Sequence, residues 1–303
     1  MKALAGFVMR GQLQAVLAVS AAALLSIALP IFGLIGSAAL ALVTLRQGPR
    51  DGALVAALAG TVCAPVCWLW LGSPWPALTM LAVLWVPTWG LAWLLRFSRS
   101  LAFTAQAAGI AGGLSLVMVY ALAGDPAAFW STVLEPLREM LVKDGLVEAA
   151  PSQVLFAELA RWMTGVFAAA VLMQLLIGLF IGRWWQALLY NPGGFGADFR
   201  TFRLHPLFGV LGLVLLTLIP LMGGPGLVRD LLILLVPLWL LQGLAVIHQI
   251  RVERKASVVW LVGLYLSLVF FMPHAELLVA CVGLVDIWAD IRARLGRRPF
   301  GGA

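Results

Sequence analysis

The sequence predicts an all-α protein, a polytopic transmembrane helical bundle of about ten spans that forms a single integral domain over residues 1–303. Three observations predict this class. The chain is 63% hydrophobic and only 11% charged, whereas soluble domains are roughly 45–50% apolar and about 25% charged. Its mean hydropathy of +1.03 excludes a disordered chain. Apolar runs long enough to cross a bilayer recur along most of its length.

The first apolar stretch contains two predicted spans, 12–29 and 31–45, which are separated only by Pro30. The stretch is too long for one span of about 20 residues, and proline turns or kinks a helix. We expect a helical hairpin, with one kinked span as the alternative, so the total lies between about eight and ten. Lys2 and Arg10 precede this run as in a signal peptide, but its length favours a retained helix.

The later apolar runs have the length that a membrane-spanning helix needs. They cover residues 53–72, 76–95, 101–123, 154–182, 207–222, 231–249, 257–272 and 275–291.

Basic residues predict the orientation of these spans. If the N-terminus is cytoplasmic, outer segments contain only Arg138, Lys143 and Arg229, Arg161 lies within a span, and inner segments contain the other 16 of 20. This positive-inside pattern predicts cytoplasmic N- and C-termini in a bacterial inner membrane. The net charge of +7 therefore indicates orientation, and the expected partner is the lipid bilayer and not nucleic acid.

Two connections between spans are long. In the outer segment 124–153, Phe129, Val133 and Leu137 recur at helical spacing. This pattern predicts an amphipathic helix on the outer membrane face, as a connector or as a lid over a site. The inner loop 183–206 is predicted to be a turn with an interfacial belt, and a partner-docking surface is the alternative.

Ionisable residues within or beside spans are the first candidate site residues, because burying charge in hydrocarbon is costly. Glu158 and Arg161 lie three residues apart and form either a self-neutralising pair or a ligand contact near the outer mouth. Asp286 either has a partner on a neighbouring helix or is protonated, and it serves either function or helix packing. Asp290 and Arg294, four residues apart, are predicted to form an interfacial ion pair.

Three glutamines lie deep within predicted spans: Gln106, Gln174 and Gln242. Each lines a solute cavity or forms a hydrogen bond to an adjacent helix.

Enzymatic signatures are weak in this sequence. His205, His248 and His274 are far apart, and the chain has neither an HExxH motif nor a Walker A lysine. Cys63 and Cys67 lack the redox C-x-x-C spacing and suit apolar packing. We therefore expect no catalytic activity, no metal and no cofactor.

The segments GGFGADFRTFRLHPLFG (193–209) and GLVDIWADIRARL (283–295) resemble the YybS-like family of predicted bacterial multi-pass membrane proteins. That family is distantly similar to the substrate-binding (S) components of energy-coupling factor transporters. The resemblance implies a small-solute uptake subunit that works with a separate transmembrane coupling protein and ATPase. The alanine-rich first helix looks like the docking surface for that coupling protein, and its alanines are Ala15, Ala18, Ala21, Ala22 and Ala23.

Two hypotheses for function follow. The first is a transport-related solute-binding subunit without its own ATPase, with an outward-opening cavity lined by some of the residues Gln106, Gln174, Gln242, Glu158 and Arg161. The second is a non-catalytic membrane scaffold or assembly factor that acts through the inner loop and a basic C-terminal tail.

Overall fold

The computed structural model describes residues 1–221 and 226–296, with side chains up to residue 294. Met222, the last residue of a predicted span, and Arg297 and Arg298 of the predicted basic tail lie outside the described residues. Within the described ranges the chain is helical and contains no strand, as the sequence predicts.

The helices follow one another with short connections. They are α1 (Lys2–Val8), α2 (Gln12–Ala28), α3 (Ile31–Arg46), α4 (Pro49–Leu71), α5 (Trp75–Met80), a π-helical turn (Leu81–Trp85), α6 (Val86–Ser98), α7 (Leu101–Ala123), α8 (Pro126–Lys143), α9 (Ala149–Tyr190), α10 (Gly194–Arg200), α11 (Pro206–Leu221), α12 (Leu227–Glu253), α13 (Val259–Phe270), α14 (His274–Ala289) and α15 (Ile291–Gly296).

The chain forms two compact units. Unit 1 consists of Met1–Ala105 and Met173–Phe202, and unit 2 of Gln106–Leu172 and the chain from Arg203 onward. Helix α9 contributes to both units. Its 42 residues make it about 63 Å long at 1.5 Å per residue, which is about twice the thickness of a bilayer core.

Unit 1 is built around α3. Residues from Ala38 to Val43 in this helix are completely buried. Helices α2 and α3 fold back on each other after Leu29, so Pro30 marks a hairpin and not a kink: Gly36 faces the side chain of Ala22. The alanines of α2 contribute to this packing, since Ala15 is 1% exposed. Ala22 and Ala23 are buried as well, whereas Ala21 is exposed, and the docking surface stays a prediction.

Small residues also join α9 to α3 in unit 1. A side-chain carbon added at Gly178 would lie 2.7 Å from Ser37, and one added at Gly182 would lie 2.7 Å from Ala41. Such contacts let membrane helices approach closely.

A π-helical turn lies in the middle of the apolar helix Trp75–Ser98. It ends just before Pro87, which has no N–H to donate to the carbonyl of Val83 four residues earlier. A local π adjustment is one way in which membrane helices accommodate the hydrogen bond that proline cannot make.

Unit 2 is built around α12 and α14, whose backbones touch. A side-chain carbon at Gly243 would overlap the carbonyl of Val279, and one at Gly283 would overlap the carbonyl of Trp239. The two glycines are therefore required by this close approach, not by backbone flexibility.

Apolar side chains cover much of the outside of both units. Leu69 and Phe97 are each 84% exposed, and Leu122 and Leu221 are each 78% exposed. Among the described residues, five helices are long and apolar enough to cross a membrane. Such extensive apolar exposure is typical of a surface that contacts lipid.

Candidate functional site

Asp286 is fully buried in unit 2 and has three hydrogen-bond donors. Its Oδ1 accepts the backbone N–H of Ile291 at 2.9 Å, and its Oδ2 accepts Nη2 of Arg292 at 2.9 Å and Nε2 of Gln242 at 3.0 Å. The carboxylate is paired and hydrogen-bonded, as a buried charge must be. The partner on a neighbouring helix that the sequence requires is Gln242.

Gln242 and Gln106 hold the backbone that leads into α11. Oε1 of Gln242 accepts the N–H of Leu204 at 2.8 Å, and Oε1 of Gln106 accepts the N–H of His205 at 2.7 Å. These N–H groups directly precede a helix, where the backbone has no helical partner for its first donors. We call Asp286, Arg292, Gln242 and the Leu204 amide the carboxylate anchor.

Asp290 pairs with Arg203, and not with Arg294 as the sequence predicts. Nη2 of Arg203 lies 2.6 Å from Oδ1 of Asp290. The reason is local: Asp290 ends α14 in the left-handed region, with φ 44° and ψ 57°. Residues 290 and 294 are thus not on one continuous helix face, and the i, i+4 argument fails.

Glu158 and Arg161 form the predicted pair, with Nη1 of Arg161 3.4 Å from Oε2 of Glu158. Both side chains are about half exposed, and Glu158 also accepts Nε1 of Trp162 at 2.9 Å. Gln174 lies in unit 1, where its amide nitrogen would be 3.2 Å from a side-chain carbon added at Gly33.

Sequence reasoning missed a buried polar cluster in unit 2. Asp230 is fully buried, and its Oδ2 accepts the hydroxyl of Tyr120 at 2.8 Å. Arg229 lies 3.2 Å from Asp230, stacks on the Trp162 ring at 4.2 Å, and donates to the carbonyl of Arg161.

The sequence pattern places Arg229 in an outer segment, before the predicted span 231–249. The helix α12 begins earlier, at Leu227, and so includes both charges in its first turn. The signal that could have found it is an adjacent Arg-Asp pair at the start of an apolar run, because an acidic residue is favourable in a first helical turn.

The five residues assigned to the predicted outward cavity have contacts within the protein, and the cavity itself stays a prediction. Gln106 and Gln242 bind backbone, Glu158 and Arg161 bind each other, and Gln174 lies against a helix. Neither of the two cavities described here contains any of them.

A polar cavity of about 480 Å³ lies instead in unit 1, and we call it the arginine recess. Four segments converge on it, from the ends of α3 and α6, from α9 and from α10. Its lining residues are Leu45, Leu95, Arg96, Arg99, Arg183, Gln186 and Asp198. The second cavity, of about 400 Å³, is an apolar groove lined by Gly90, Trp93, Leu94 and Phe97.

Each arginine of the recess is positioned differently. Nη1 of Arg96 donates to the carbonyl of Leu45 at 2.6 Å, near the end of α3, where carbonyls lack helical partners. Arg99 ends α6 in the left-handed conformation, with φ 54°. Nη2 of Arg183 lies 2.6 Å from Oδ2 of Asp198. Three positive charges thus face one negative charge.

The inner loop is folded against the recess. Residues 183–190 continue α9, so the predicted loop 183–206 is shorter than expected, since the first helix-breaking sequence is Asn191-Pro192-Gly193. Phe195 stacks on Phe199 with ring centroids 5.9 Å apart, and both contact Phe180. This aromatic packing fixes α10 and places Asp198 beside Arg183.

In the sequence, these arginines indicate only which segments lie on the inner side of the membrane. Arg99 and Arg183 are 84 residues apart, and no spacing rule connects them. The weak signal available was the pair Arg96 and Arg99 at the end of an apolar run, which also fits simple orientation.

Comparison with models of protein families, with curated proteins and with solved structures finds no match to this chain. The class of this protein is therefore inferred from its own sequence and structure. It is an all-helical protein with several helices able to span a membrane. The resemblance to the YybS-like family stays a prediction.

Proposed function

We propose that this chain is a multi-pass protein of a bacterial inner membrane, with about ten spans and cytoplasmic termini, which binds a small solute as a transport-related subunit. The proposal includes no ATPase within the chain, so energy for transport would come from a separate coupling protein and ATPase. Long apolar helices, outward-facing apolar side chains and the sorting of basic residues support the membrane placement.

The arginine recess is the observation that carries the solute-binding proposal. Its volume of about 480 Å³ falls within the range of roughly 300–1,000 Å³ that is usual for small-molecule sites. It is lined by three arginines, an amide and a carboxylate, and Arg96 and Arg183 each use one guanidinium nitrogen to bind Leu45 and Asp198 respectively. In the proposed topology these residues lie on the cytoplasmic side, so this proposed site opens inward, whereas the sequence predicts an outward-opening cavity.

The amphipathic helix α8 supports a location at a membrane surface. Phe129 is 62% and Val133 is 49% exposed, and Trp130 reaches α9, where its Nε1 donates to Thr164 at 2.9 Å. A helix that exposes its apolar stripe while one tryptophan attaches it to a neighbour suits a membrane surface. We favour the connector role for this segment over the lid.

The test is affinity purification of the full chain from native membranes, followed by mass spectrometry of proteins and small molecules. We expect a metabolite that is retained by the natural chain and lost from the variant Arg183→Gln. A stoichiometric ATPase partner would support the transport role further. Equal retention by the variant would contradict a site in the recess.

A scaffold role is the second candidate, and the folded inner loop is the observation that favours it. Ala197 is exposed on α10, which the aromatic packing holds in place. If this surface binds a protein, Ala197→Glu will remove stoichiometric partners, while the matched variant Gln47→Glu, also exposed on the proposed inner side, will retain them. Partners unaffected by Ala197→Glu would contradict the scaffold role.

A further inference from the structure

We propose that the arginine recess binds a phosphate group, either of a soluble phosphate compound or of a lipid headgroup. This inference rests on the proposed function, because it names the ligand chemistry of the same site. It is carried by the donor set, the charge and the geometry of unit 1.

The charge of the recess matches phosphate. Arg96, Arg99 and Arg183 contribute three positive charges and Asp198 one negative charge, which leaves a balance of +2. A phosphate monoester carries about −1.5 to −2 at pH 7, so it neutralises the site. A monocarboxylate leaves one positive charge uncompensated, and a cation meets net repulsion.

The donors of the recess also suit phosphate. Each guanidinium has five N–H groups in a planar fork that matches phosphate oxygens two at a time. Arg96 gives one hydrogen bond to Leu45, and Arg183 gives one to Asp198. Most of the donors therefore remain for a ligand, and the amide of Gln186 adds to them.

Asp198 contributes by orienting one of the arginines. The side chain of Arg183 is only 16% exposed, so its guanidinium is held by packing and by the carboxylate before a ligand arrives. Such preorganisation reduces the entropy lost on binding. Arg99 lines the site from another segment of the chain, because it ends α6 in the left-handed conformation.

The arginines of the recess differ from arginines that only mark the inner side of the membrane, because they come from different helices and line one cavity. Arginines that only obey the positive-inside rule need a position near the inner membrane surface and nothing more. Arg254 is of that kind: it is exposed at the end of α12 and does not line the recess. In the recess, by contrast, arginines from α6 and α9 surround one concave volume.

The experiment uses the full chain in a neutral detergent and two probes. The first probe is inorganic phosphate, followed by equilibrium dialysis with a radioactive label. The second is the lipid phosphatidylglycerol in nanodiscs, compared with phosphatidylcholine by native mass spectrometry. The variants are Arg99→Asn, which keeps a residue tolerant of positive φ, and Arg183→Lys, which keeps the charge but removes the fork. Arg254→Gln is the matched control.

We expect the natural chain and Arg254→Gln to bind the same probe, and Arg99→Asn and Arg183→Lys to bind it about tenfold more weakly or worse. Binding of inorganic phosphate assigns a soluble compound, and selective retention of phosphatidylglycerol without phosphate binding assigns a headgroup. The inference is overturned if neither probe binds, or if the recess variants bind like the control. A phosphate-free metabolite that needs Arg183 would overturn the inference and leave the proposed function intact.

Discussion

The carboxylate anchor of unit 2 and the arginine recess of unit 1 contain the same chemical groups in opposite arrangements. In the anchor, Asp286 is fully buried and its oxygens are occupied by Gln242, Arg292 and a backbone amide. In the recess, three arginines face one carboxylate around an open volume. A satisfied, buried arrangement stabilises a fold, whereas an open arrangement with spare donors can bind a ligand. Four predictions test that contrast.

Asp286→Ala should have the largest effect on stability. It removes a fully buried carboxylate that accepts hydrogen bonds from Arg292, Gln242 and the Ile291 amide, so we expect a loss of about 3–5 kcal/mol in unfolding free energy. Denaturant unfolding in detergent measures it. Asp290→Asn is the control, because the Arg203–Asp290 pair is about half exposed. Equal losses of unfolding free energy in the two variants would show that the carboxylate anchor contributes no more to stability than an exposed ion pair.

Gly283→Ala should come next, because its methyl group would overlap the carbonyl of Trp239. Overpacking of this kind costs about 1–3 kcal/mol. Gly263→Ala is the matched control within unit 2, since nothing lies within 4 Å of the added carbon. If both glycine variants unfold at the same denaturant concentration, the close contact of α12 and α14 is wrong.

Arg99→Asn should affect ligand binding and leave stability within about 0.5 kcal/mol, as is usual for exposed substitutions. Asparagine tolerates the left-handed backbone at this position, where φ is 54°. The measurement is the unfolding midpoint without phosphate. A large loss of stability would indicate that Arg99 has a structural role, like the residues of the carboxylate anchor, and would contradict a ligand-binding role.

Glu135→Gln should have the smallest effect, because the side chain of Glu135 is 48% exposed on α8 and exposed ion pairs contribute little to stability. Hydrogen bonds from Arg138 lower the pKa of Glu135 below its ordinary value of 4.5. The pair therefore stabilises the fold above pH 4.5, and this contribution is lost as pH falls through the lowered pKa. Thermal unfolding of the natural chain and the variant should differ slightly at pH 7 and converge in acid. A difference that grows in acid would contradict this sign.

Local signals predicted part of the site and missed the rest. Asp286 was predicted to need a partner because an isolated carboxylate in a span is costly, and Gln242 on another helix supplies one. The pairing of Asp290 was wrong because a left-handed residue ended the helix there. The sequence does not predict the recess, because Arg96 and Arg183 line the same cavity only after separate segments of the chain have folded together.

The sequence by itself determined the helical, apolar character of this protein and the break at Pro30, because composition and proline act locally along the chain. Its basic residues also predict the orientation of the helices in the membrane. Only the tertiary structure decided which polar groups are satisfied and which remain open. That distinction depends on long-range contacts, such as Leu204 with Gln242 and Arg183 beside Asp198, and no periodicity in the sequence encodes it.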